Sequence, residues 1–118
     1  MSSTKDIVDH HITCFSKGDL EGILSDYAPD AVLFTPNGPL KGTEALRSFY
    51  RAMLAEFGKP GTTVHINLLS IDGDYAYGLW TAKTADNEYE FATDTHIVRG
   101  GKIVAQSFAA KITPTGSS

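Results

Sequence analysis

The sequence has almost no cysteine. Cys14 is the single one in 118 residues, so no disulfide can form within the chain, and a reducing, cytoplasmic setting is expected. Positive charge is also short: ten Lys and Arg stand against fourteen Asp and Glu, for a net charge of −4. Nothing is left over to neutralise phosphates, so nucleic acid is not an expected partner. No apolar run approaches the roughly 20 residues of a membrane span, so no membrane is expected either. The opening, MSSTKDIVDHH, lacks a basic segment followed by an apolar one, and no signal peptide is read in it. Phosphate loops and nucleophile elbows are missing too, since "RGGK" reads as a hairpin turn. Asp94, His96 and His11 are the one conceivable metal set. Zinc wants three or four convergent ligands, and no helical His pair or Cys-x-x-Cys spacing supports it. No metal and no cofactor are therefore expected.

What is present is a globular composition, 42% hydrophobic and 20% charged, of a length that suits one domain over residues 1–118. The end, TPTGSS, reads as a tail frayed from about residue 114. Ser3 can cap a first helix over Thr4 to Lys17, with Asp6 completing a capping box. Ile7, Val8, Ile12, Cys14 and Phe15 form its apolar stripe. Cys14 is there a small core side chain rather than a nucleophile. Gly18 stops this helix and Asp19 caps a second, with Leu20, Ile23, Leu24 and Tyr27 at helical spacing. "AVLFT" is a short strand, closed by Pro36, Gly38 and Pro39. A third helix starts at Thr43 as N-cap. Tyr50, Met53, Leu54 and Phe57 on it are either core or pocket lining. Four strands joined by turns follow as an antiparallel meander. Helices first and a sheet after predict an α+β fold.

One of those strands, FATDTHIV, is unusually polar. Asp is a poor strand former and is almost never buried without a partner. Alternation puts Ala92, Asp94, His96 and Val98 on one face and Phe91, Thr93, Thr95 and Ile97 on the other. With a two-residue turn at Asp86 and Asn87, Leu79 lies opposite Asp94 and Tyr77 opposite His96. A three-residue turn puts Trp80 opposite Asp94 instead. Either Asp94 faces water or it is desolvated. The central strands are poor in charge on both faces, which favours helices over one face and a second copy over the other, a homodimer through the sheet. A desolvated Asp94 would have a raised pKa and could work as an acid or base near neutral pH, unless His96 holds it ionised. His11 lies on the apolar side of the first helix. His10 points about 100° away, into solvent. The face of His65 is open.

The stretch FSKGDLEGILSDYAPDAVLFTPNGPLKGTEALRSFY resembles the opening of nuclear transport factor 2-like domains, in the SnoaL-like polyketide cyclase and ketosteroid isomerase branch. GDYAYGLW and DTHIVRGGKIV are similar to the matching later strands, so the resemblance covers nearly the whole chain. It implies a cone-shaped α+β fold, with three N-terminal helices packed on a curved, mainly antiparallel sheet enclosing a pocket. It also implies an apolar small-molecule ligand, and dimers through the sheet. In the isomerases a Tyr on the first helix and an Asp on a late strand bind the oxyanion; those positions fall on His11 and Asp94. The isomerase base falls on Thr35, which cannot shuttle a proton. The Asp–Arg–Asp set of related epoxide hydrolases has no counterpart, because Arg47, Arg51 and Arg99 lie on a helix and a turn. Cyclases and dehydratases of this fold rely on Asp and His in the cavity.

The resulting expectation is a cofactor-free acid–base enzyme of cyclase, isomerase or dehydratase type, acting on an apolar carbonyl or hydroxyl compound. Asp94 would carry the proton, with His11 or His96 as partner. Phe15, Thr35, Tyr50, Leu54, Tyr77, Leu79, Trp80 and Phe108 would line the pocket. A non-catalytic binding module and a dimeric interaction domain are the alternatives.

Overall fold

The computed structural model describes residues 3–115. Helix α1 (Thr4–Lys17) starts at the expected capping box: the Ser3 side chain accepts from the Asp6 N–H, and the Asp6 carboxylate accepts from the Ser3 N–H. It ends at Gly18, whose φ of 72° is cheap only for glycine. Asp19 caps α2 (Leu20–Ser25) through the Gly22 N–H. Here the helical spacing overreaches. Tyr27 is not on the helix but opens strand β1 (Tyr27–Thr35), because its backbone pairs with Ile103 and its hydroxyl has partners inside the molecule.

The segment read as a closing turn is a strand, β2 (Gly38–Lys41), joined to β1 by a tight hairpin in which Thr35 pairs with Gly38. Pro39 is tolerated because β2 is an edge strand. Helix α3 (Thr43–Phe57) is preceded by Gly42 rather than capped by Thr43. The Gly42 N–H donates to the Ala31 carbonyl at 3.0 Å, and the chain turns there at φ 92°, where a side chain would be strained.

The meander forms as expected: β3 (Thr63–Asp72), β4 (Tyr75–Lys83), β5 (Asn87–Arg99) and β6 (Lys102–Pro114). With β1 pairing parallel to β6, the sheet has six strands in the order β2-β1-β6-β5-β4-β3. Pro114 belongs to β6, and the Thr115 N–H donates to the Asp86 carbonyl at 3.0 Å. The rest of the expected tail, 116–118, lies outside the described residues.

The helices pack on the sheet in an α+β arrangement, but the expected cone is not there. The sheet is neither closed nor strongly curled; it is open, with β2 and β3 as its unpaired edges. A sheet encloses space only when its edges meet through a staggered register, and here the ladder stops at a four-residue strand on one side and at β3 on the other. The sheet is thus not the curved, pocket-enclosing one expected. The core is the seam between the two layers, where Ile23, Leu33, Leu46 and Ile103 are fully buried with Cys14 among them. On the far face Phe34, Tyr75, Tyr77 and Phe91 are exposed.

Candidate functional site

The polar strand sets the site. On β5, Ala92, His96 and Val98 are buried and Asp94 is partly so, while Phe91 is exposed, as alternation requires. The register differs from both expectations: Gly78 lies opposite Asp94, and Ala76 opposite His96. Two features cause this. The hairpin closes at Lys83 and Glu88, with the Thr84 N–H donating across the loop to the Asn87 carbonyl at 2.8 Å. A bulge then adds one residue to β5 between Tyr89 and Ala92, so both of these face the helices. The result is a glycine opposite Asp94, which leaves open space above the carboxyl.

That space is a half-open cavity of about 200 Å³ between the helices and one face of the sheet. His11 from α1, Asp94 and His96 from β5, and Gln106 from β6 all line it. Of the expected pocket residues, Phe15, Tyr50, Trp80 and Phe108 line it as well. The other four do not. Tyr77 and Leu79 pair with Thr95 and Thr93, on the opposite face of the sheet, as the register dictates. The Thr35 hydroxyl donates to the Gly38 carbonyl at 2.9 Å and serves the β1–β2 turn. Leu54 packs on the core, and its neighbour Met53 takes the cavity position. His65 is exposed and away from the cavity.

Asp94 is not bonded to either histidine. Its Oδ2 accepts from Trp80 Nε1–H at 2.7 Å, and its Oδ1 accepts from Gln106 Nε2–H at 3.1 Å. Burial raises its pKa above the usual carboxylate value, and these two donors oppose the rise. His11 sits edge-on to Tyr27 and Tyr50 at 5.6 Å and to His96 at 5.4 Å. Burial, with His96 and His10 adding to it, pushes His11 down to about 3. Burial alone takes His96 to about 4. Both imidazoles are thus neutral at neutral pH. The Tyr27 hydroxyl meets Tyr50 at 2.6 Å and also donates to the Gln106 amide oxygen.

His10 is half exposed rather than free in solvent. Its Nδ1 holds the Asp26 carboxylate at 2.8 Å, and Cys14 Sγ lies 3.4 Å from its Nε2. Among the described residues, no three His, Cys, Asp or Glu side chains converge as metal ligands, and no helix is long and apolar enough to cross a membrane.

Two polar groups that bear on Asp94 give little sign of it in the sequence: Gln106, on the cavity wall, and Tyr27, bonded to it. Gln106 is two residues before Phe108 on one strand, so alternation gave it the same face, and a lone amide among apolar neighbours was the available signal. Tyr27 left no such signal, because its spacing matched the preceding helix.

Comparison with known proteins agrees with the architecture. Several solved structures superpose over most of their length. An NTF2-like protein of unknown function from Mesorhizobium loti is 22% identical, with a TM-score of 0.78, covering 92% of this chain and 90% of that one. SalBIII, an epoxide hydrolase/cyclase-like enzyme with a role in pyran ring formation in the polyether salinomycin, is 17% identical at a TM-score of 0.78, with the same coverages of 92% and 90%. An NTF2-like protein of unknown function from Burkholderia pseudomallei is 17% identical at 0.77, covering 94% and 92%. At these identities the likeness is one of fold. No curated protein matches in sequence. Residues 8–106 match the SnoaL-like domain family as a sequence, and with that match spanning most of the chain, the protein belongs to the SnoaL-like domain family.

Proposed function

We propose that the chain is a one-domain, small-molecule pocket protein that performs cofactor-free acid–base chemistry of cyclase, isomerase or dehydratase type. The ligand is an apolar carbonyl or hydroxyl compound, and Asp94 moves the proton. One observation carries this reading: Asp94 is the only acidic side chain, among the described residues, on the wall of an otherwise largely apolar cavity, and burial raises its pKa. A carboxylate withheld from water is a stronger base than one in solvent, and its raised pKa brings it closer to neutral pH. His11 and His96, both neutral, border the same space and can orient a ligand oxygen or relay its proton. In the dehydratase version, Asp94 takes a proton from the carbon beside the ligand carbonyl. The β-hydroxyl then leaves with that same proton returned from Asp94, so one water departs and Asp94 is again a carboxylate.

3-Hydroxycyclohexanone is a probe of suitable size, because loss of water gives cyclohex-2-enone, whose ultraviolet absorption reports turnover. Asp94→Asn should cut the rate by about 10²–10⁴ while circular dichroism stays native. Equal rates in the two proteins would remove the catalytic reading and leave ligand binding without turnover. That alternative is favoured by Thr35, which stands where the isomerase base would be and is occupied with its turn.

The exposed face bearing Phe34, Tyr77 and Phe91 is suited to a second copy of the chain. Light scattering should give a dimer mass, and Tyr77→Lys should give a monomer. A monomeric wild-type protein would contradict this. The single thiol, Cys14, is free and buried, in keeping with a reducing, cytoplasmic setting.

A further inference from the structure

The hydrogen bonds that reach Asp94 all point the same way. Trp80 Nε1–H can only donate, and it donates to Oδ2. Gln106 presents its Nε2 to Oδ1, which turns its amide oxygen toward Tyr27, and the Tyr27 hydroxyl donates to that oxygen. With its proton spent there, Tyr27 accepts from Tyr50 across their 2.6 Å contact, and the Tyr50 hydroxyl also lies as a donor 3.4 Å from the same Gln106 oxygen, so by either route the donors converge on Gln106. Tyr50 in turn accepts from His11 Nε2–H at 3.4 Å. That tautomer leaves His11 Nδ1 an acceptor, and it is the ring nitrogen that is buried without a partner. Donors therefore run in one file from helix α1 through Tyr50, Tyr27 and Gln106 to the carboxylate. A proton on Oδ1 directed at Gln106 would set O–H against N–H. Relieving that clash means turning the amide over and reversing every bond in the file.

From this one-way file we infer that Asp94 in the resting protein presents acceptor oxygens to the cavity, and that the cavity takes an uncharged, single-ring hydroxyl compound whose O–H donates to Asp94. The inference rests on the pocket reading above and narrows its ligand from carbonyl or hydroxyl to hydroxyl. Size sets the single ring: the cavity is about 200 Å³, and a dry cavity of about 150 Å³ suffices for benzene. Charge excludes anions, because among the described residues no Lys or Arg lines the cavity to offset Asp94. Phe15, Phe49 and Phe108 supply apolar walls for the ring.

Three probes of matched size separate the possibilities: cyclohexanol, cyclohexanone and cyclohexanecarboxylate. Each is titrated into the full chain by calorimetry, with the emission of Trp80, the single tryptophan, as a second readout. Cyclohexanol is expected to bind about tenfold or more tighter than cyclohexanone, the scale of one hydrogen bond to a charged group. The carboxylate is expected not to bind. Asp94→Asn should erase the alcohol's advantage. Equal or tighter binding of the ketone to the wild-type protein would overturn the inference and leave the pocket reading standing. Binding of none of the three would overturn both.

Discussion

Mild acid should destabilise this protein, and His11 and His96 should be the cause. Both imidazoles are buried, and both have folded-state pKa values pushed down, to about 3 and about 4. An unfolded histidine has its ordinary value near 6.5. The unfolded chain therefore binds protons that the folded chain refuses. Stability is intact above about pH 6.5 and falls as the pH drops toward the folded values. At about pH 5 each histidine has given the unfolded state about 2 kcal/mol, and the pair about 4 kcal/mol. Set against a typical stability of about 5–15 kcal/mol, this is a large share. Asp94 works the other way: its raised pKa lets the folded state take up a proton before the unfolded state does, so it offsets part of the loss.

Urea unfolding followed by Trp80 emission at about pH 7 and about pH 5 measures the drop. His11→Gln and His96→Gln should each remove about half of it. A stability flat across this range, or a drop unchanged in both variants, would refute the account of the two histidines as buried and neutral.

Gly78 tests the cavity itself. A Cβ there would meet only the Leu68 and Asp94 carbonyl oxygens, at 3.8 and 4.0 Å, so Gly78→Leu should fold, fill the space above Asp94 and abolish cyclohexanol binding in calorimetry. Unchanged binding would place the ligand elsewhere. Glu56 tests how the wall is held. Its carboxylate accepts from Thr84 Oγ1 at 2.7 Å, Asn87 Nδ2 at 3.0 Å and the Tyr89 hydroxyl at 2.9 Å, and the Tyr89 ring stacks on Trp80 at 5.6 Å. Glu56→Ala should cost about 1–3 kcal/mol in urea unfolding, from the buried Tyr89 hydroxyl left unpaired, and should red-shift Trp80 emission. A neutral substitution would mean that the α3 packing fixes Trp80 without this anchor.

Much of the local structure was legible because local signals agreed with one another. Ser3 and Asp6, Gly18, and Asp19 marked helix ends by chemistry confined to a few residues, and the structure uses each of them so. The meander followed from turn residues between alternating runs. Misreadings came where two local patterns competed. Tyr27 fitted a helical period and a strand equally well, and pairing with Ile103, far away in sequence, decided it. The β2 segment looked like a turn because Pro and Gly dominate it, yet an edge position beside β1 makes it a strand.

The sequence by itself determined that Asp94 and His96 share a face of a strand where neither residue type is at ease, since side-chain alternation is a property of the backbone. It also determined family membership, through motifs spread along the chain. Only the tertiary structure decided what Asp94 touches. One bulge residue in β5 set the register, put Gly78 opposite the carboxyl and carried Tyr77 and Leu79 to the other face. Packing of α1 and α3 on the sheet then brought His11 and Tyr50 into line with Tyr27 and Gln106. Those contacts join residues as much as 79 positions apart. Long-range hydrogen bonds of this kind depend on how whole elements dock, and no window of the sequence records that.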